Sequence, residues 1–144
     1  MKNLSYSETL ENQTLEFEKG PPNSWSDVYI KNEWGTPITE IEFIHRYESD
    51  RYDIERFDLI DNNERIFALK AGYWTGIGRT GKDYWWIRYK DDRKTWTCKS
   101  NFFCFLTAND AKSDRPVEIV IKKNKMEVSP PVSSGDYVTL YPEA

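Results

Sequence analysis

The stretch "GIGRTGKDYWW", from Gly76 to Trp86, holds the residues whose spacing most suggests chemistry. Gly76, Gly78 and Gly81 have the G-x-G-x-x-G spacing of a dinucleotide-binding turn, and Gly76 to Lys82 spell most of a phosphate-binding loop. Both motifs work only when a helix follows, because its N-terminal amides and dipole hold the phosphate. Here the next residues, "KDYWWIRYK", are aromatic, β-branched and alternating, and so read as a strand. Asp83 also stands where a Ser or Thr would hold magnesium, and its carboxylate would repel phosphate. Nucleotide binding is therefore rejected. Gly76, Gly78 and Gly81 are expected to supply positive-φ positions in a wide loop between two strands.

Other reactive side chains are few or ungrouped. His45 lies on the apolar parity of "ITEIEFIHRY", with Ile41, Phe43 and Tyr47, and is expected to be a hydrogen-bonded core residue rather than a catalyst. "YESDRYDIE" gathers Glu48, Asp50, Asp53 and Glu55, oxygen ligands of the kind calcium uses, but without a rigid loop signature; a solvated turn is expected. The two cysteines are Cys98 and Cys104. Along one strand they would sit about 20 Å apart, too far to bond. In a hairpin with Lys99 opposite Phe103 they would face each other, so a disulfide stays open. One histidine and two cysteines are too few for a zinc site. No G-x-S-x-G occurs, and no Ser or Cys has an evident base partner. The expectation is no enzyme, no catalytic residue, no metal and no cofactor.

The elements that would position these residues are strands. The chain has 144 residues, enough for one domain with a full core. Aromatic residues make up 15% of it, which favours sheet over helix. Residues 1–24 read as a polar arm ending in "KGPPNSW", and residues 25–144 as the folded domain. From Asp27 the pattern has period two: "DVYIKNEW", "ITEIEFIHRY", "IERFDLI", "RIFALK", "DYWWIRYK", "TWTC", "FFCFLT", "VEIVIKK" and "YVTLY", separated by turn-rich segments such as "DNNE" and "ANDAKSDRP". Eight or more short strands at such spacing predict an all-β, single-domain antiparallel β-sandwich. No convincing amphipathic helix or repeat is seen. Net charge is −4 with scattered signs, against a nucleic-acid surface. With no signal-peptide core and no run of roughly 18 apolar residues, a soluble, cytoplasmic protein is expected, leaderless export remaining open.

Within "DYWWIRYK", Asp83, Trp85, Ile87 and Tyr89 share the more apolar parity; Tyr84, Trp86, Arg88 and Lys90 are expected to face outward. Tyr73 and Trp74 enter the glycine loop from its other side, and Arg79 and Lys82 lie within it. Amphipathic aromatics beside cations suit lipid headgroups at a membrane interface, stacking on sugars, or an anchor for a protein partner. The candidate ligand-binding residues are Tyr73, Trp74, Arg79, Lys82, Tyr84, Trp86 and Arg88.

Three strings, "VYIKNEWGTPITEIEFIHRYESDRYD", "GYWTGIGRTGKDYWWIRY" and "CKSNFFCFLT", resemble a small eukaryotic and microbial family named for a domain up-regulated in long-lived nematode insulin-receptor mutants. The likeness runs from about Asp27 to Tyr141. Such domains look like fold-level relatives of the aegerolysins and actinoporins, non-catalytic β-sandwiches of which many recognise membrane lipids. The resemblance implies a lipid- or glycan-binding module, though the arm "SYSETLENQTLEF" is too polar to insert as a pore-forming helix. The leading expectation is a non-enzymatic module that binds membrane lipid headgroups or a related polar ligand. Its alternatives are a protein-interaction module (a stress-linked adaptor, or an antitoxin-like partner using the acidic stretch Glu48 to Glu55) and a glycan binder.

Overall fold

Side-chain alternation builds the first strand. In β1 (Ser24–Glu33) the buried residues Ser24, Ser26, Val28, Ile30 and Asn32 alternate with the more exposed Trp25, Asp27, Tyr29 and Lys31. A strand with one covered face needs a second layer, and the computed structural model, which describes residues 21–76 and 81–143, supplies it. The remaining strands are β2 (Ile38–Tyr47), β3 (Arg51–Ile60), β4 (Arg65–Tyr73), β5 (Asp83–Lys90), β6 (Thr95–Thr97), β7 (Val117–Lys122), β8 (Lys125–Ser129), β9 (Asp136–Thr139) and β10 (Tyr141–Pro142). They form two five-stranded sheets, ordered β4-β1-β7-β8-β9 and β10-β6-β5-β2-β3. All pairings are antiparallel except β1 with β7, which run parallel from Val28 opposite Val117. The chain is thus an all-β sandwich, as the alternation predicts.

The core lies between the sheets. Val28 and Ile30 of β1, Ile119 and Ile121 of β7 and Met126 and Val128 of β8 come from one sheet; Phe43, Trp85, Ile87 and Tyr89 come from the other, all fully buried. Burial of such side chains, worth roughly 1.5–3 kcal/mol each, carries the fold. At one edge β3 passes to β4 through Asp61–Glu64, where Asn63 takes φ +65°. Buried Asn32 secures that turn, its amide donating to the carbonyls of Ile60 (3.1 Å) and Asp61 (3.2 Å). From β4 the chain returns to the other sheet through the glycine-containing segment and enters β5.

Three local expectations are corrected. "ESDRYD" is only partly a turn: β3 begins at Arg51, so Asp53 is a buried strand residue opposite His45 and not a solvated carboxylate. "ANDAKSDRP" contains a single helical turn, α1 (Ala108–Lys112), too short to show a period; Thr107 and Asp110 form its capping box. "KMEVS", read as no element, is β8, joined to β7 by a two-residue turn at Lys123 and Asn124 with Asn124 at φ +69°. Residues 1–20 of the arm lie outside the described residues.

Candidate functional site

The candidate residues separate into buried supports and a half-buried group. Tyr73 is fully buried and shares a 2.8 Å hydrogen bond with Ser26. Trp74 is buried against Tyr47, ring centroids 5.4 Å apart. Trp86 is 5% exposed, and its indole Nε1 donates to the Cys98 carbonyl at 3.0 Å. Parity does place Trp86 on the outer side of its sheet, but there it pairs with Ile44, itself buried, so that outer position is not a solvent position. The expected outward Trp86 is therefore corrected to a buried support. Arg88 is held by Glu143 (Nε to Oε2 2.9 Å, Nη2 to Oε1 3.0 Å) and by Glu42 (3.3 Å), so its charge is already matched. Arg79 lies outside the described residues.

Lys82 and Tyr84 remain at the surface, and the fold brings other residues to them. The segment Phe102–Thr107 runs extended beside the start of β5: the Trp85 amide donates to the Phe102 carbonyl (3.2 Å) and the Cys104 amide to the Asp83 carbonyl (2.9 Å). Its alternation buries Phe102, Cys104 and Leu106 and exposes Phe103 and Phe105 by 37% and 45%. Phe103 meets Tyr84 (6.1 Å, 72°) and Phe105 (5.3 Å, 68°) edge to face. Lys82 Nζ stands 4.5 Å from the Phe103 centroid, and the Arg46 guanidinium 3.8 Å from that of Tyr84. The Lys82 amide donates to Glu48 Oε1 (2.7 Å), but no carboxylate among the described residues forms an ion pair with its Nζ. Phe103 and Phe105 were missed as site residues although "NFFCFLT" carries the period-two signal that exposes them.

Beside this ridge opens a mainly apolar cavity of about 410 Å³, walled by Tyr47, Trp74, Phe105, Leu106 and Thr107 and by Gly76 and Gly81. The glycines have separate reasons to be there. Gly76 takes φ +119°, as expected. The expectation is corrected at Gly81, whose φ is not positive: there a Cβ would lie 2.3 Å from the Tyr47 ring, so close approach and not backbone conformation requires glycine. Gly78 lies outside the described residues. Tyr47 in turn accepts from the Gly81 amide (3.0 Å) and donates to the Trp74 carbonyl (3.1 Å). Since β5 begins two residues after Gly81, no helix among the described residues follows that glycine to hold a phosphate.

Behind the ridge lies a buried charge chain. His45 in β2 has no exposed surface; its Nδ1 is 2.9 Å from Asp53 and its Nε2 2.7 Å from Asp83. Burial alone would lower the imidazole pKa, but the two carboxylates outweigh it and push the value up to about 9. His45 is therefore an imidazolium donating from both nitrogens. Burial raises Asp53, yet His45, the Gly72 amide (3.0 Å) and Arg51 (2.8 Å) bring it below the ordinary carboxylate range. For Asp83, burial wins and the pKa is raised despite His45 and the Leu106 amide (2.8 Å). With Arg51 the chain holds two cations and two carboxylates. No substrate can touch an imidazole with no exposed surface, so its work is to fix β2, β3, β4, β5 and Leu106 relative to one another.

The cysteines are free and buried. Cys98 Sγ lies 4.0 Å from the Ile87 carbonyl and Cys104 Sγ 3.5 Å from that of Ser134, so the two thiols turn to different neighbours instead of to each other. Among the described residues no group of three or more His, Cys, Asp or Glu side chains could hold a metal ion, and no helix is long and apolar enough to cross a membrane. Sequence comparison adds one finding: the model of the family described as Up-Regulated in long-lived daf-2 matches residues 22–135. No curated protein matches the chain.

Proposed function

The chain belongs to the family described as Up-Regulated in long-lived daf-2, and on that premise we propose that it is a non-catalytic binding module for membrane lipid headgroups. The observation that carries this reading is the ridge of Phe103 and Phe105, exposed beside Lys82 and Tyr84, with Phe105 also lining the apolar cavity. Aromatic rings favour the boundary between headgroups and acyl chains, and a cation there attracts an anionic phosphate. The reading rests on Lys82, Tyr84, Phe103 and Phe105, with Trp74 in the wall of the adjoining cavity and Tyr73 and Trp86 buried in the sandwich.

Co-sedimentation with vesicles of phosphatidylcholine, alone and with phosphatidylserine, tests it. Phe103→Ala combined with Phe105→Ala should abolish binding while leaving the thermal midpoint nearly unchanged. Lys82→Ala should weaken only the phosphatidylserine-dependent part, and raising salt from 50 mM to 500 mM should do the same, as expected of an exposed charge. Equal binding by wild type and the double variant would dismiss the ridge. No binding to either vesicle would dismiss the lipid reading and leave these aromatics as an anchor for a protein partner.

A further inference from the structure

The outer face of the sheet built on β1 carries a second recess, of about 400 Å³, lined mainly by polar atoms; Trp25, Asp27, Tyr29, Lys70, Asp114 and Arg115 contribute to it. We propose that this groove binds a neutral sugar, with Trp25 as the platform for one pyranose ring. The inference is independent of the lipid reading, because none of these residues belongs to the aromatic ridge.

Trp25 is the first argument. It is 43% exposed on a strand whose neighbouring positions are buried, and its indole is held in place. Its register partner is Gly72, and a Cβ there would lie 2.9 Å from Trp25 Cζ3, 2.7 Å from Arg51 Nε and 2.7 Å from Pro22 Cγ. Glycine at 72 thus lets the indole lie down on the sheet, while the Arg51 guanidinium packs 4.8 Å from its ring centroid. Arg51 is itself fixed by buried Asp53. A large apolar surface left exposed and yet anchored at its base is pre-organised to receive a flat partner.

Charge balance is the second argument. Lys70 pairs with Asp27 at 2.9 Å, and Arg65 Nε with Glu118 at 2.9 Å. Arg115, for which no carboxylate partner occurs among the described residues, is balanced by neighbouring Asp114. Three cations stand against three carboxylates, so the groove offers an anion no net field. It offers instead both donors and acceptors in charged, strongly bonding form beside an aromatic face. A pyranose has the complementary surface: C–H groups on one face to pack against the indole, and hydroxyls around the rim that both donate and accept.

The test is a titration of ¹⁵N-labelled protein with maltose, cellobiose, lactose and N,N′-diacetylchitobiose up to about 20 mM, a range that covers the weak affinity of a one-ring site. At least one sugar should shift the Trp25 indole N–H and the Lys70 and Arg115 amides saturably. Trp25→Ala should weaken that sugar about tenfold or more, Trp25→Tyr should retain most of the affinity, and Lys82→Ala should leave it unchanged. If Trp25→Ala is poorly folded, Arg115→Ala carries the same expectation from the exposed rim. No shift with any of the four, or shifts confined to other surfaces, would overturn the proposal.

Discussion

Trp86 shows how the role of a single residue turns on its cover. As an exposed ligand contact it would be dispensable for folding; as a buried indole bonded to Cys98 it is not. Trp86→Ala should cost about 3 kcal/mol, the lower part of the range for large-to-small core changes, and urea unfolding should read that loss. A cost under about 0.5 kcal/mol, typical of surface changes, would mean that Trp86 is exposed after all. The thiols give a second residue-level expectation. Burial pushes the pKa of both Cys98 and Cys104 up to about 12, and the thiolate is the reactive form. The folded protein should therefore react with Ellman's reagent no faster than it unfolds, and should release two equivalents in denaturant. Rapid labelling at neutral pH in the absence of denaturant would contradict that burial.

At the scale of elements, α1 and the chain facing it depend on one carboxylate. Asp110 accepts from the Val132 (2.8 Å) and Ser133 (3.0 Å) amides through Oδ1, and from the Thr107 amide (2.8 Å) and hydroxyl (2.9 Å) and the Ser133 hydroxyl (2.6 Å) through Oδ2. Asp110→Ala leaves these donors unmatched and should destabilise by about 3 kcal/mol, with Asp110→Asn intermediate, both read by chemical denaturation. The His45 chain acts between strands. Its folded pKa of about 9 exceeds the ordinary 6.5, so the stabilisation is complete below about pH 6.5, declines above it, and is gone once the pH passes about 9. The thermal midpoint should fall over that interval, and His45→Gln should flatten the fall. An unchanged alkaline limb in His45→Gln would show that the imidazolium is not its cause.

For the whole molecule, stability against pH should form a plateau with two different shoulders. Asp53, Asp91 and Asp110 are each held below the ordinary 3.8 by hydrogen bonds that outweigh their burial, so their contribution is present above that value and lost as the pH falls through their lowered pKa values. Asp83 runs the other way: its raised pKa means that its ionisation opposes folding, and protonating it partly offsets the acid loss. A thermal midpoint measured from pH 2 to pH 9 should therefore fall on the acid side through several carboxylates and on the alkaline side mainly through His45, the buried thiols adding to the loss only above pH 9. The two proposed binding surfaces meet this chain at its ends. Asp83 holds the Leu106 amide behind the aromatic ridge, and Asp53 holds Arg51 under Trp25. Loss of the chain by His45→Gln should thus loosen both surfaces together.

Alternating side chains are a local property, so strand identity, the all-β class, the strand that follows the glycine loop and the core placement of His45 are legible in the sequence. The same parity exposes Phe103 and Phe105 once "NFFCFLT" is read as an extended strip. Cover is not local. Trp86 and Ile44 sit on the outer side of their sheet and are nevertheless buried, and nothing in "DYWWIRYK" distinguishes that from exposure. Nor could spacing show that Asp53 and Asp83, 30 residues apart, would close on the two nitrogens of His45. That encounter needs β2 placed between β3 and β5 in one register, and only the assembled sheet decides it, because register is set by pairings between distant segments.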